Sequence, residues 1–362
     1  MNDRDLAGIE VIIPNLHRRY SGVTATNRMI APRVARVVRA AWLGRDAPEN
    51  IQRITFGDLL RLRRAMRPRI WHARRNNEMM IGLLLKQLGW NLRLVFTSAG
   101  QRHHSWTTRF LLARMDAVIA TSQFSASYLQ RPATVVLHGV DPLVYCPPPD
   151  RAAAFAETKL PGRHGIGCFG RVRAQKGTDV FVEAMCRLLP QYPDFTAVVI
   201  GAIAMEQRPF VERLEKQVQA AGLTDRIRFL GELPIEDVPR WYQRILIYTF
   251  TSRVEGFGLT LLEAMAAGTA LVAARAGAAE AVIANGETGL LVPPGDADAL
   301  VAALEPLMRD PPRALEMGRL ARAQAIARFS IDVEAARIAD VYRSIWARSE
   351  PTKAERSPPV KR

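Results

Sequence analysis

Glu255 and Glu263 are separated by seven residues inside the stretch Ser252–Gly268, Ser-Arg-Val-Glu-Gly-Phe-Gly-Leu-Thr-Leu-Leu-Glu-Ala-Met-Ala-Ala-Gly. Gly256 and Gly258 let the backbone come close to a ligand. Phosphate or sugar oxygens suit the free N–H groups expected there, and the two carboxylates flank the same cradle. Some eighty residues earlier, Arg171 and Lys176 lie between Gly170 and Gly177. Two cations beside a strand end suit the negative charge of a diphosphate. Read alone, either the glutamates or the cations would pass for solvated surface charge. Their joint presence makes that reading a poor one.

The elements that must position these residues are legible around them. Ile245–Phe250 is short, apolar, β-branched and aromatic, the composition of a buried strand. Leu259–Ala267 is built from strong helix formers, and Gly268 stands where such a helix stops. The Glu-Gly-Phe-Gly turn therefore joins a strand's C-terminal end to a helix N-terminus, where the helix dipole favours anions. Gly165, Gly167 and Gly170 spell G-x-G-x-x-G, but Ile166, Cys168 and Phe169 make that segment the strand itself. The helix begins only near Thr178, and no acid ends the following strand (195–201), so a dinucleotide site is excluded. Asp296-Ala-Asp298 precedes an Ala- and Leu-rich helix and reads as an N-cap rather than a metal pair.

Together these residues resemble the donor-site signature of the family 4 retaining glycosyltransferases, over essentially the whole chain. The match rests on Ser252, Glu-Gly-Phe-Gly-Leu at 255–259, Glu-Ala-Met-Ala at 263–266, and Gly170, Arg171, Lys176 and Gly177. What the resemblance implies is a GT-B fold, α/β, with two doubly wound Rossmann-like domains facing across a cleft. It implies that Glu263 holds the nucleotide ribose and Glu255 the donor sugar's hydroxyls, with Arg171 and Lys176 on the leaving diphosphate. Gly22, Gly170, Gly256, Phe257, Gly258, Leu259 and Thr260 complete the donor site by the same carry-over. Only Gly22 of Ser21-Gly22 matches the family's usual Gly-Gly pair. Relatives carry a histidine directly after the strand at 92–97; here Ala99 stands there, and His103 and His104 follow. Either histidine could act near the acceptor, or neither. No metal and no resident cofactor is implied, and no nucleophile is assigned.

The rest of the chain bounds the reading. At 362 residues two domains are expected. Hydrophobic content of 48% and charged content of 23% are those of a soluble globular protein. The first residues lack a signal peptide's order, no apolar run approaches spanning length, and Cys146, Cys168 and Cys186 show no metal-like pairing. A cytoplasmic protein is the expectation. The net charge of +15 is uneven: residues 1–150 carry 22 Lys or Arg against 10 Asp or Glu. That asymmetry points the N-terminal half at an anionic partner.

In chain order, strands are expected at 8–14, 51–56, 68–73, 92–97 and 115–122, with a helix near 25–40. Seven arginines lie between Arg61 and Arg75, and Leu59, Leu60, Leu62 and Met66 could form the apolar stripe of a basic amphipathic helix. Membrane contact and an ordinary surface helix both fit. His138-Gly-Val-Asp141 resembles a cleft loop of the family. The Pro147-Pro148-Pro149 run and the Ala-rich stretch after it place the boundary near 150–162. The expected division is 1–155 for the acceptor, 162–331 for the nucleotide sugar, a helix at 332–348 that could return to the first domain, and a disordered tail at 349–362.

Thr97–His104, Met115–Ser122 and Gly167–Asp179 look most like bacterial lipopolysaccharide-core mannosyltransferases. That implies a hexosyl transfer from GDP-mannose to an anionic inner-core glycolipid, by an enzyme peripheral on the inner membrane's cytoplasmic face. A UDP-sugar acting on another glycolipid is the alternative. The arginines raise a nucleic-acid-binding protein as a reading from another class, but no such motif appears and the glutamate pair would be unexplained.

Overall fold

The protein, seen in a computed structural model, is described at residues 6–17, 22–63, 67–100 and 104–349. It divides into two compact units, one formed by the chain to Leu137 together with the segment from Ile331, the other by His138–Ser330.

The first unit is built on seven strands: β1 (Val11–Asn15), β2 (Ala40–Gly44), β3 (Gln52–Ile54), β4 (Arg69–Ala73), β5 (Leu92–Ser98), β6 (Ala117–Ala120) and β7 (Thr134–Val135). They pair in parallel in the order β3-β2-β1-β4-β5-β6-β7. A parallel sheet is covered on both faces, and right-handed crossovers decide which helix goes where. The helices α1 (Gly22–Val37), α2 (Phe56–Arg61), α3 (Asn76–Gln87), α4 (Trp106–Leu112) and α5 (Gln123–Ser127) make the connections. Leu59, Met79 and Leu111, from α2, α3 and α4, share one core layer with Trp71 and Leu94 of the sheet. On the opposite layer Ile30 and Val34 of α1 meet Ile338 and Tyr342 from the last helix, Ile331–Ser349.

The second unit has six parallel strands, β8 (His164–Phe169), β9 (Phe195–Ile200), β10 (Ile227–Gly231), β11 (Ile245–Phe250), β12 (Ala270–Ala274) and β13 (Leu290–Val292), ordered β10-β9-β8-β11-β12-β13. Its helices are α6 (Arg151–Ala156), α7 (Thr178–Leu188), α8 (Arg208–Ala220), α9 (Val238–Arg244), α10 (Leu259–Ala266), α11 (Ala279–Val282), α12 (Ala297–Arg309) and α13 (Pro311–Phe329); the last helix is α14. Phe181, Val211 and Leu304 carry α7, α8 and α12 onto one core layer, while α10 packs with α13.

Four expectations are corrected. Ala40–Gly44, of which Ala40 was expected to end a helix and the rest was assigned no element, is the strand β2; its Ala-Ala-Trp-Leu run is buried throughout, and burial on both faces erases the alternation that betrays a strand. The segment at 76–87, for which no element was expected, is the helix α3. The boundary falls at Leu137, not near 150–162. Val140 bridges to Ser330, and the Arg151 guanidinium donates to the carbonyls of Tyr242 (2.8 Å), Gln243 (3.1 Å) and Ile245 (2.6 Å), so the prolines lie inside the second unit. The basic helix is short, and its stripe is split: Leu59 and Leu62 are buried at 2% and 3% exposure while Leu60 faces out at 66%. Met66 lies outside the described residues, as do Arg64, Ser21, His103 and all of the expected tail except Ser349.

Candidate functional site

In a doubly wound sheet the natural ligand position is outside the strands' carboxyl ends, where the winding direction reverses. In the second sheet that reversal lies between β8 and β11. The loop after β8 carries Gly170, Arg171, Lys176 and Gly177; the loop after β11 carries Ser252 to Gly258. All the sequence-derived donor residues except Gly22 therefore meet at one topological point. Gly22 opens α1 in the first unit.

The two loops are interlocked. Gly177 has φ +68°, and a Cβ there would sit 2.0 Å from the Thr251 carbonyl oxygen, so only glycine fits. Arg253 donates its backbone N–H to the Gln175 carbonyl at 2.9 Å, and its guanidinium grips Asp179 through two bonds of 2.7 and 2.8 Å. Such a bidentate pair fixes geometry as well as charge. Asp179 sits in the first turn of α7, so this clamp holds the cation-bearing loop against the glutamate-bearing one.

Lys176 Nζ forms an ion pair with Glu255 Oε2. The other Glu255 oxygen accepts from the Gly256 N–H at 3.1 Å, and Ser252 Oγ lies 3.4 Å from Oε2. Arg171 is exposed and makes no hydrogen bond or ion pair among the described residues. Gly258 caps α10 with φ +91°; no side chain caps this helix, and its first turn holds no acid. Its N-terminal N–H groups and dipole therefore face the turn undiluted. Leu259 and Thr260 are half-buried there.

Phe257 is buried, with its carbonyl held by the Ala278 N–H at 2.8 Å, and its ring meets His138 edge-on at 4.9 Å. The His138-Gly-Val-Asp141 loop thus packs directly on the glutamate turn.

Glu263, one turn into α10, accepts from the Tyr242 hydroxyl at 2.8 Å. Burial pushes its carboxyl above the usual carboxylate range, and hydrogen bonds from Tyr242 and Tyr145 work against that rise. The same burial, with Glu263 adjacent, raises both tyrosines, so they stay protonated donors. Sequence reasoning missed this pair. Its rings pack edge-on at 5.7 Å, and Tyr242 also packs against Phe169 at 4.8 Å, a core-like setting with no spacing signal.

In the first sheet the reversal lies between β1 and β4. There Arg75 donates to Asn15 Oδ1 at 2.9 Å and Thr24 Oγ1 at 2.7 Å, while buried Glu78 receives the N–H groups of Arg74 and Arg75 at 2.8 and 3.1 Å. Asn15, Thr24 and Glu78 were not singled out from sequence, and Arg74 and Arg75 were read only as the end of the basic run. Of the two histidine candidates, His104 lies 3.5 Å from Ser98 Oγ at the end of β5, and His103 is outside the described residues. Asp296 caps α12 by accepting from the Ala299 N–H at 2.8 Å, and Asp298 pairs with Arg187 at 2.6 Å, as the cap reading expected for Asp296.

Comparison with known proteins gives the family and the fold. Residues 150–324 match the family described as Glycosyl transferases group 1. A lipopolysaccharide core biosynthesis mannosyltransferase of Rhizobium leguminosarum bv. viciae is 48% identical over 94% of this chain and 98% of its own length. One of Rhizobium meliloti is 44% identical over 94% and 99%. The crystal structure of Anabaena HepE in complex with UDP superposes with a TM-score of 0.78 at 21% identity, covering 93% of this chain and all of that one, which shows the GT-B fold. On the strength of its long, close relatives and of the loops gathered at the β8–β11 reversal, the chain belongs to the group 1 glycosyl transferases.

Proposed function

We propose that this glycosyltransferase moves mannose from GDP-mannose to an anionic inner-core lipopolysaccharide acceptor, with retention of configuration and without a metal. The observation that carries the reading is the cradle at the β8–β11 reversal, where Lys176, Glu255 and an uncapped helix N-terminus converge. Breaking an anomeric C–O bond releases a diphosphate, whose growing charge needs fixed positive partners. Arg171, Lys176 and the N–H groups at Gly258–Thr260 supply them. Donor binding transfers Lys176 from Glu255 to the phosphates and frees Glu255 for sugar hydroxyls. Glu263, held by Tyr242, takes the ribose. The leaving phosphate accepts the acceptor's proton, so no protein nucleophile is needed.

The mannosyl donor and core acceptor are supported by the names of the two Rhizobium relatives. An anionic acceptor is supported by the charge surplus of residues 1–150, 22 cations against 10 anions. The same surplus suits peripheral contact with the inner membrane's cytoplasmic face. No helix among the described residues is long and apolar enough to cross a membrane. The test is a panel of GDP- and UDP-sugars with isolated truncated core glycolipid. Transfer from GDP-mannose alone is the expected result; transfer only from a UDP-sugar establishes the alternative donor.

A further inference from the structure

The layer of the first unit formed by α2, α3 and α4 exposes large apolar side chains from each of the three helices. Met80, Leu84 and Leu88 follow one another at four-residue spacing and are all exposed, so one stripe of α3 is apolar on its solvent side. Leu60 projects from α2, and Trp106 (70% exposed) and Phe110 from α4. These helices are neighbours. Arg63, just beyond α2, donates to the Leu88 carbonyl at 2.9 Å, and Asn76 at the start of α3 donates to Thr108 of α4 at 2.7 Å. On the opposite layer α14, as long as 19 residues, exposes no large hydrophobic side chain among the described residues. In the second unit the exposed large apolar residues are the adjacent Leu143 and Val144 and, far from them in sequence, Met205, Ile235, Val254, Leu315 and Ile326, with none at helical spacing along one helix apart from Leu315 and Ile326 of α13.

The charge on this layer is mostly positive. Among the described residues at 56–67, 76–91 and 105–116, Arg61, Arg63, Arg67, Lys86, Arg109 and Arg114 stand against three acids, Asp58, Glu78 and Asp116. Each acid is committed: Asp58 caps α2 through Thr55, Glu78 is buried on backbone N–H groups, and Asp116 pairs with Lys86 at 3.0 Å and Arg93 at 3.4 Å. Phe110 carries the Arg114 guanidinium 3.4 Å from its ring centroid, so cation and apolar surface share one spot.

We propose that the α2–α3–α4 face lies on an anionic lipid bilayer, with Leu60, Leu84, Leu88, Trp106 and Phe110 entering the headgroup–acyl boundary and the surrounding cations meeting lipid phosphates. This deepens the membrane partner of the proposed function and rests on that reading. Separate apolar tips among cations, spread over several helices, suit a deformable charged interface. A folded protein partner would call for a continuous complementary patch. The sequence-derived arginine stripe contributes only its outward side, Leu60 with Arg61, Arg63 and Arg67, because Leu59, Leu62 and Arg69 are turned into the core.

The test uses the full chain and vesicles of phosphatidylcholine, with or without ~30% phosphatidylglycerol. Wild type is expected to sediment with the anionic vesicles, less so at high salt. The double variant Leu84→Glu, Trp106→Glu is expected to bind them at least about tenfold more weakly, since both changes put charge at the lipid boundary. Bromine-labelled acyl chains are expected to quench part of the tryptophan emission, and Trp106→Phe to lose that part while still binding. GDP binding by each variant confirms an intact second unit. Equal vesicle binding by wild type and double variant overturns the proposal, as does an oligomer that this variant disperses, which makes the face a contact between copies. Failure here with mannosyl transfer intact leaves the functional reading standing; vesicle binding without transfer from any donor does the reverse.

Discussion

Lys176 and Glu255 neutralise one another across the two loops, so the charges of the proposed donor site are already positioned and partly desolvated. Lys176→Ala and Glu263→Ala are each expected to lower transfer by ~30- to 1000-fold with little change in melting temperature. The estimate corresponds to one charge-assisted contact of about 2–4 kcal/mol. Turnover near wild type in both would place the donor elsewhere. Tyr242 gives a finer test. Under the proposed function Glu263 binds the ribose as a carboxylate, so activity is expected to be complete above its pKa and to be lost as pH falls through it. Burial raises that pKa, and the Tyr242 hydroxyl, by stabilising the ionised form, lowers it. In Tyr242→Phe the acid limb of kcat/KM therefore moves to higher pH, and donor binding weakens first at low pH. A pH profile of the variant that overlays the wild type would show that Glu263 does not titrate in the working range.

At the scale of elements, the site is a matter of how two loops are locked. Gly177→Ala places a Cβ against the Thr251 carbonyl in a left-handed backbone, a strain of at least ~1 kcal/mol. It is expected to cut activity about tenfold or more by displacing Lys176, with only modest loss of stability; an unchanged kcat/KM would show that the loop tolerates the shift. Gly177 was legible as part of a spacing pattern, but its reason, the close approach of Thr251, was not. The same contrast runs through the molecule. The strands β8 and β11 and the helix α10 are short, strongly biased segments and read off directly. β2 was hidden because alanines in a doubly buried strand look helical. Arg75, Asn15 and Glu78 form a hydrogen-bonded network only when β1 and β4 lie side by side, a pairing across some sixty residues that no local pattern encodes. His72 is another such case: buried between Thr97 Oγ1 (2.7 Å) and the Tyr342 hydroxyl (2.5 Å), it joins residues 270 positions apart.

For the molecule as a whole, leaving-group charge is assigned to protein cations, so transfer is expected to persist in excess chelator. Activity abolished by EDTA and restored by Mn²⁺ or Mg²⁺ would remove Arg171 and Lys176 from that role. A different consequence follows from the membership of α14 in the first unit. On the ribosome, the second unit, a single unbroken segment from His138 to Ser330, can complete its sheet as soon as that segment has emerged. The first unit is begun earlier and finished later. Until Ile338, Tyr342 and Ile345 are synthesised, the apolar faces of α1 and of the strands beneath them stay uncovered, and His72 has only one of its two partners. The earliest-made half of the nascent chain is thus the last to be sealed, and it depends on translation running through to the final helix. Synthesis cut short just before Ile331 would yield a well-formed second unit tethered to an open, aggregation-prone sheet.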